Sequence, residues 1–68
     1  MTLKELRKKT NLTQEEVAKK VGLTSKFISD MELGRRNPSD KSKEKLAKVY
    51  HVSATDIFLA FYEQPVES

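Results

Sequence analysis

Residues 12–39 read LTQEEVAKKVGLTSKFISDMELGRRNPS, and the spacing inside this stretch decides the fold. The Thr13 hydroxyl can accept from an orphan helix amide while Glu16, three residues on, reaches back, so the pair predicts a capping box that opens a helix. Val17, Ala18 and Val21 follow as its buried stripe. Gly22 stands where that helix stops, as the residue able to take positive φ. Thr24 caps the next helix, in which Ile28 and Met31 at i, i+3 face the core and Ser25, Lys26, Ser29 and Asp30 point largely outward. Gly34 ends it. Arg35, Arg36, Asn37 and Pro38 then make a basic connection, because the residue before a proline is pushed out of helical geometry.

Two helices joined by three or four residues that include a glycine form the local signature of a helix-turn-helix. Counting from Gln14, a small residue (Ala18) stands at the fifth place, Gly22 at the ninth and β-branched Ile28 at the fifteenth. Ala18 lets the second helix of the pair approach closely, Gly22 makes the sharp turn, and Ile28 packs between the helices and fixes their angle.

Outward from this centre the chain continues as helix. Leu3 and Leu6, with Thr10 one turn beyond, share a face, while Lys4, Glu5, Lys8 and Lys9 occupy the rest of a short amphipathic helix that ends near Asn11. Ser39 or Asp40 opens a fourth helix to about Tyr50, with Leu46, Val49 and Tyr50 as its apolar side and Lys41, Lys43, Lys45 and Lys48 in solvent. Ser53 with Asp56 repeats the capping pattern and starts a fifth helix carrying Ile57 and Phe58. Leu59, Phe61 and Tyr62 add more apolar surface than a short tail requires. With no strand-like alternation, the chain is expected to be one all-α, five-helix domain over residues 1–68, with 59–68 available as a dimerisation tail.

Composition narrows the function. The 68 residues include no cysteine, which removes disulfides and thiolate metal sites. His51 is the single histidine, with no second ligand to help it hold a metal, and nothing resembles a phosphate-binding glycine loop or an activated nucleophile. The expectation is a protein without enzymatic activity or cofactor. No apolar run approaches the roughly 20 residues that cross a bilayer, and the N-terminus lacks the apolar stretch of a signal peptide, so a cytoplasmic location away from membranes is expected. Residues 1 to 50 carry thirteen Lys or Arg against seven acids, whereas residues 51 to 68 carry three acids and no Lys or Arg. The basic part is where a polyanion would bind.

The string LTQEE, a glycine turn, IS, E-x-G and NPS resembles the Cro and phage-repressor family of helix-turn-helix regulators, often called the xenobiotic-response-element type. The similarity runs from Leu3 through the VSATDIF segment. It implies a five-helix domain, often dimeric, that binds operator DNA without a cofactor. Carried over by position, Gln14 matches a residue that contacts phosphate at the start of the second helix. Thr24, Ser25, Lys26, Ser29 and Asp30 match positions on the recognition helix that face DNA. Arg7 and Glu32 match a structural pair that bridges the first and third helices. Arg35, Arg36 and Asn37 match the loop that approaches the phosphate backbone, with Lys41 and Lys43 close behind.

Chemistry gives these positions distinct expected roles. Lys26 can donate to guanine O6 and N7, or can hold a phosphate. Ser25 and Ser29 donate or accept but discriminate weakly. Asp30 is repelled by phosphates unless it accepts from cytosine N4 or pairs with Lys26, one helical turn before it. Phe27 fits two places, sealed against the core or packed on the DNA at a backbone sugar or a thymine methyl. Where the family tends to place leucines in the opening turns of the fourth helix, this chain has Asp40, Lys43 and Glu44. The C-terminal apolar residues Ile57, Leu59, Phe61 and Tyr62 then serve either a symmetric dimer seam or completion of the core. The expected partners are double-stranded DNA and a second copy of the chain, with no small-molecule effector evident. The function expected is that of a repressor on a palindromic operator. Two other uses of such a fold stand beside it, an antitoxin that neutralises a partner toxin and a protein-interaction module that does not bind DNA.

Overall fold

Each helix opens at a hydroxyl side chain. Thr2, Thr13, Thr24, Ser39 and Ser53 hold extended backbone and accept, at 3.1 to 3.2 Å, from the amide three residues on. Glu5, Glu16 and Asp56 close the reciprocal bond at Thr2, Thr13 and Ser53, which satisfies a second orphan donor at each site. The computed structural model describes residues 1–63, and the helices so started are α1 (Leu3–Lys9), α2 (Gln14–Val21), α3 (Ser25–Glu32), α4 (Asp40–Tyr50) and α5 (Ala54–Tyr62). The described residues contain no strand, in keeping with the all-α, five-helix expectation. The first helix is shorter than its sequence suggests: it stops at Lys9, with Thr10 as cap and Asn11 at φ 59°.

The turn between α2 and α3 depends on Gly22, at φ 72° and ψ 30°. Its amide and that of Leu23 both donate to the Ala18 carbonyl, so the end of α2 is satisfied while the chain reverses. A side chain at Gly22 would meet no neighbour within 4 Å, so the left-handed backbone is what calls for glycine here. The same closure recurs after α4, where His51 takes φ 58° and the Val52 amide donates to Ala47 O at 2.9 Å.

Every helix contributes to one core. Leu3, Val17, Ile28, Met31, Leu46 and Ile57 are fully buried and come from all five helices, each worth roughly 1.5–3 kcal/mol in removed apolar surface. Ala18, at 3% exposure, provides the close approach of α2 to its neighbours α3 and α4. Ala47 joins the core, whereas Val49 is only half-buried.

Two expectations are corrected by this packing. Lys43 does not stand in solvent: α5 docks along α4 and covers it, leaving 9% of the residue exposed. Ile57 belongs to the monomer's own core at 0% exposure, because Ile57 and Ala60 form the inward side of α5. Residues 59 to 62 continue α5 rather than form a separate tail, and residues 64 to 68 of the expected dimerisation tail lie outside the described residues.

Candidate nucleic-acid interface

Helix α3 turns Ile28 and Met31 inward, which leaves the opposite side of its first turns facing out. Thr24, Ser25 and Lys26 are exposed, while Ser29 and Asp30 are half-buried. Lys26 Nζ lies 3.4 Å from Asp30 Oδ2 in the expected i, i+4 pairing. The lysine side chain is 84% exposed and the aspartate only 15%, so the carboxylate is the fixed partner and the ammonium the projecting one. Phe27 packs half-buried against the core, and the Arg36 guanidinium carbon lies 6.0 Å from its ring centroid.

The connection after α3 is tied back onto it. Gly34 N donates to Met31 O at 3.1 Å, and Arg35 N donates to Asp30 O at 2.8 Å. Arg35, Arg36 and Asn37 are thereby exposed beside α3, Pro38 is buried, and Lys41 is exposed on the first turn of α4. Thr24, Lys26, Phe27, Asp30 and Arg36 line one shallow depression.

A buried polar network holds α3 in place. Arg7 Nε donates to Glu32 Oε2 at 2.7 Å and Nη2 to Oε1 at 3.2 Å, while Nη1 reaches Leu12 O at 3.0 Å. Gln14 Nε2 adds a bond to Glu32 Oε1 at 3.0 Å. One carboxylate thus ties together α1, the first residue of α2 and the last of α3. Hydrogen bonding to Glu32 raises the pKa of Arg7 against the opposing effect of burial. Gln14 is therefore half-buried and bound inward by its amide nitrogen, not a side chain wholly available to phosphate.

Residues 3–57 match the helix-turn-helix family model. This chain belongs to the helix-turn-helix family, of the Cro and phage-repressor type. The helix-turn-helix protein is 46% identical over 57 residues to an uncharacterised HTH-type transcriptional regulator of Archaeoglobus fulgidus, covering 84% of this chain and 80% of that one. It is 44% identical over 57 residues to one from Methanocaldococcus jannaschii, covering 84% and 86%. The ImmF control region 10 kDa protein of Bacillus phage phi105 is 40% identical over 45 residues, covering 66% of this chain and half of its own length.

Two sequence-derived assignments in the helix-turn-helix protein change with the geometry. Lys43 Nζ lies 5.0 Å from the Phe58 ring centroid and 3.8 Å from Asp40 Oδ1, with its side chain 11% exposed. A lysine so covered packs α4 on α5 and is withdrawn from the residues expected to face phosphate. Of the residues expected at a dimer seam, Ile57 is buried and Phe61 packs against the core, whereas Leu59 and Tyr62 are exposed. Phe58, not anticipated there, is exposed beside them, with its ring centroid 4.9 Å from that of Tyr62. The approach of Arg36 to the Phe27 ring carried no sequence signal, because nine residues across a turn have no fixed spacing. No described helix is long and apolar enough to cross a membrane.

Proposed function

We propose that this protein is a cytoplasmic, sequence-specific double-stranded DNA-binding transcriptional regulator, a repressor that binds a palindromic operator as a homodimer without a cofactor. The observation that carries the reading is the outward face of α3, where Thr24, Ser25 and Lys26 are exposed beside a connection rich in arginine. A helix of this kind fits the major groove, about 12 Å wide, with its N-terminal residues at the base edges. The names of the archaeal relatives, transcriptional regulators of the HTH type, favour the same reading.

In this mechanism Lys26 donates to guanine O6 and N7, and Asp30 orients it. Asp30 also disfavours registers that push its carboxylate against phosphate. Ser25, Ser29 and Thr24 add weaker contacts to base edges. Arg35, Asn37 and Lys41 hold the phosphate backbone on the flank and fix the register of α3 without reading sequence. The exposed Leu59 and Tyr62 pair two copies about a two-fold axis, which sets two recognition helices about 34 Å apart on one face of the duplex. Occupying a promoter blocks transcription with no further chemistry, so repression is the effect this surface produces by itself.

Selection of bound duplexes from a random pool, followed by titration at two salt concentrations, tests the reading. The expected result is an inverted repeat with half-site centres about 10 base pairs apart and an affinity that falls steeply with salt. A pool that enriches no sequence would overturn it.

A further inference from the structure

We propose that Arg36 is a specificity-determining residue that reads the major-groove edge of a guanine and is held for that task on the face of Phe27. The inference rests on the DNA-binding reading above and assigns Arg36 a role other than the phosphate contact its loop position suggests.

Four features converge on this arginine. The Arg35 amide donates to Asp30 O at 2.8 Å, so the chain after Gly34 folds back along α3 instead of leaving it. Phe27 is half-buried and packed on the core, which makes its ring a fixed platform. The Arg36 guanidinium carbon stands 6.0 Å from that ring's centroid, at the outer edge of cation–π attraction. The depression that contains Arg36 is otherwise lined by Thr24, Lys26, Phe27 and Asp30. A loop residue thereby joins the surface that α3 presents to bases.

The chemistry of the stack selects the ligand. A guanidinium that closes onto a ring uses its π face there and leaves its in-plane N–H groups free, and that planar fork matches the O6 and N7 acceptors of guanine. Attraction to the ring also limits the conformations of an exposed arginine before binding, which lowers the cost of ordering it on the base. A phosphate contact needs neither a platform nor a fork, since a point charge suffices. Lysine at this position would supply the charge without the planar geometry.

The test uses the full chain and its selected operator. Affinities of the wild type, Arg36→Ala, Arg36→Lys and Phe27→Leu are measured on duplexes carrying every single base-pair change. Arg36→Ala is expected to lose a preference for guanine of roughly 5- to 100-fold at one position, with the other positions unchanged. Arg36→Lys is expected to restore only part of it, because a lysine reaches O6 and N7 without the planar fork. Phe27→Leu, which keeps apolar packing without the ring, is expected to weaken the same preference by a smaller factor. Placing 7-deazaguanine at that position should weaken the wild type and leave Arg36→Ala unaffected, since N7 is the acceptor removed.

Equal weakening of Arg36→Ala on all sequences, with recovery in Arg36→Lys, would overturn the proposal in favour of a phosphate contact. Arg36 is exposed, so its two variants and the modified base decide the matter even if Phe27→Leu fails to fold. A wild type that enriches no sequence at all marks failure of the DNA-binding reading itself. Sequence preference in the wild type with none assignable to Arg36 marks failure of this inference alone.

Discussion

Glu32 grips Arg7 through both carboxylate oxygens, with Nε 2.7 Å from Oε2 and Nη2 3.2 Å from Oε1. Their side chains are 11% and 4% exposed, so the pair is shielded from water and the geometry is bidentate. Because Glu32 is the last residue of α3 and Arg7 sits in α1, the pair ties the end of α3 to the first helix. Gln14 and the Leu12 carbonyl complete the set of partners.

Removing one member leaves a buried charge without compensation. Glu32→Ala or Arg7→Ala is expected to lower stability by about 3 to 5 kcal/mol in urea titrations. Replacing both, as Arg7→Met with Glu32→Leu, should recover most of that loss, because neither ion then remains buried. A single variant that unfolds at the wild-type midpoint would show that the pair contributes nothing to the fold.

Next to this pair the Tyr50 hydroxyl is buried and makes no hydrogen bond among the described residues. Burial foremost, and then the negative charge of Glu32, push its ionisation well above the ordinary tyrosine range, with Arg7 opposing. Tyr50→Phe removes an unsatisfied polar atom and keeps the ring in place. The expected change is a gain of about 1 kcal/mol or none, read from denaturant midpoints. A loss of 2 kcal/mol or more would mean that the hydroxyl is bonded in solution.

Acid should loosen the helix starts. Backbone hydrogen bonds from Thr2 and Thr13 foremost, then those from their side chains, hold Glu5 and Glu16 below their usual value of 4.5. A carboxylate whose pKa is depressed by folding contributes stability that is present above its unfolded value and lost as pH falls through the folded one. The thermal midpoint of the wild type is therefore expected to drop more steeply below pH 4.5 than that of a Glu5→Gln, Glu16→Gln double variant. Parallel curves for the two proteins would contradict the assignment.

What could be read from the chain divides by sequence distance. Thr13 with Glu16, Ser53 with Asp56, and Gly22 were legible because a cap or a left-handed turn is decided within a few residues. The capping box of Thr2 and Glu5 is equally local but is partly concealed in a charged N-terminus. Lys43 was misplaced because helical periodicity assigns it to a polar face, and only the docking of α5, through Phe58, covers it. Ile57 and Leu59 both read as surplus apolar residues. The rotation of α5 about its own axis, which the core decides, buries the first and exposes the second. The bond from Gln14 to Glu32 crosses 18 positions and has no local mark.

The exposed side of α5 bears on assembly. Leu59 and Tyr62 are 53% and 65% exposed, more apolar surface than a short helix needs if it stays in water. Analytical ultracentrifugation at micromolar concentration is expected to find a dimer, which Leu59→Glu or Tyr62→Glu converts to a monomer of unchanged helix content. Phe61→Glu is a poorer probe, since Phe61 packs on the core and its loss would disturb the fold as well. A wild type that sediments as a monomer would remove the seam from the account.

The most direct measurement is the affinity of Lys26→Ala, beside the wild type, for the selected operator and for each of its single base-pair variants. If the outward face of α3 reads bases, the loss is about 1 to 3 kcal/mol on the operator and is confined to discrimination at one base position. Uniform weakening across all sequences, with the wild-type preference intact, would contradict that claim.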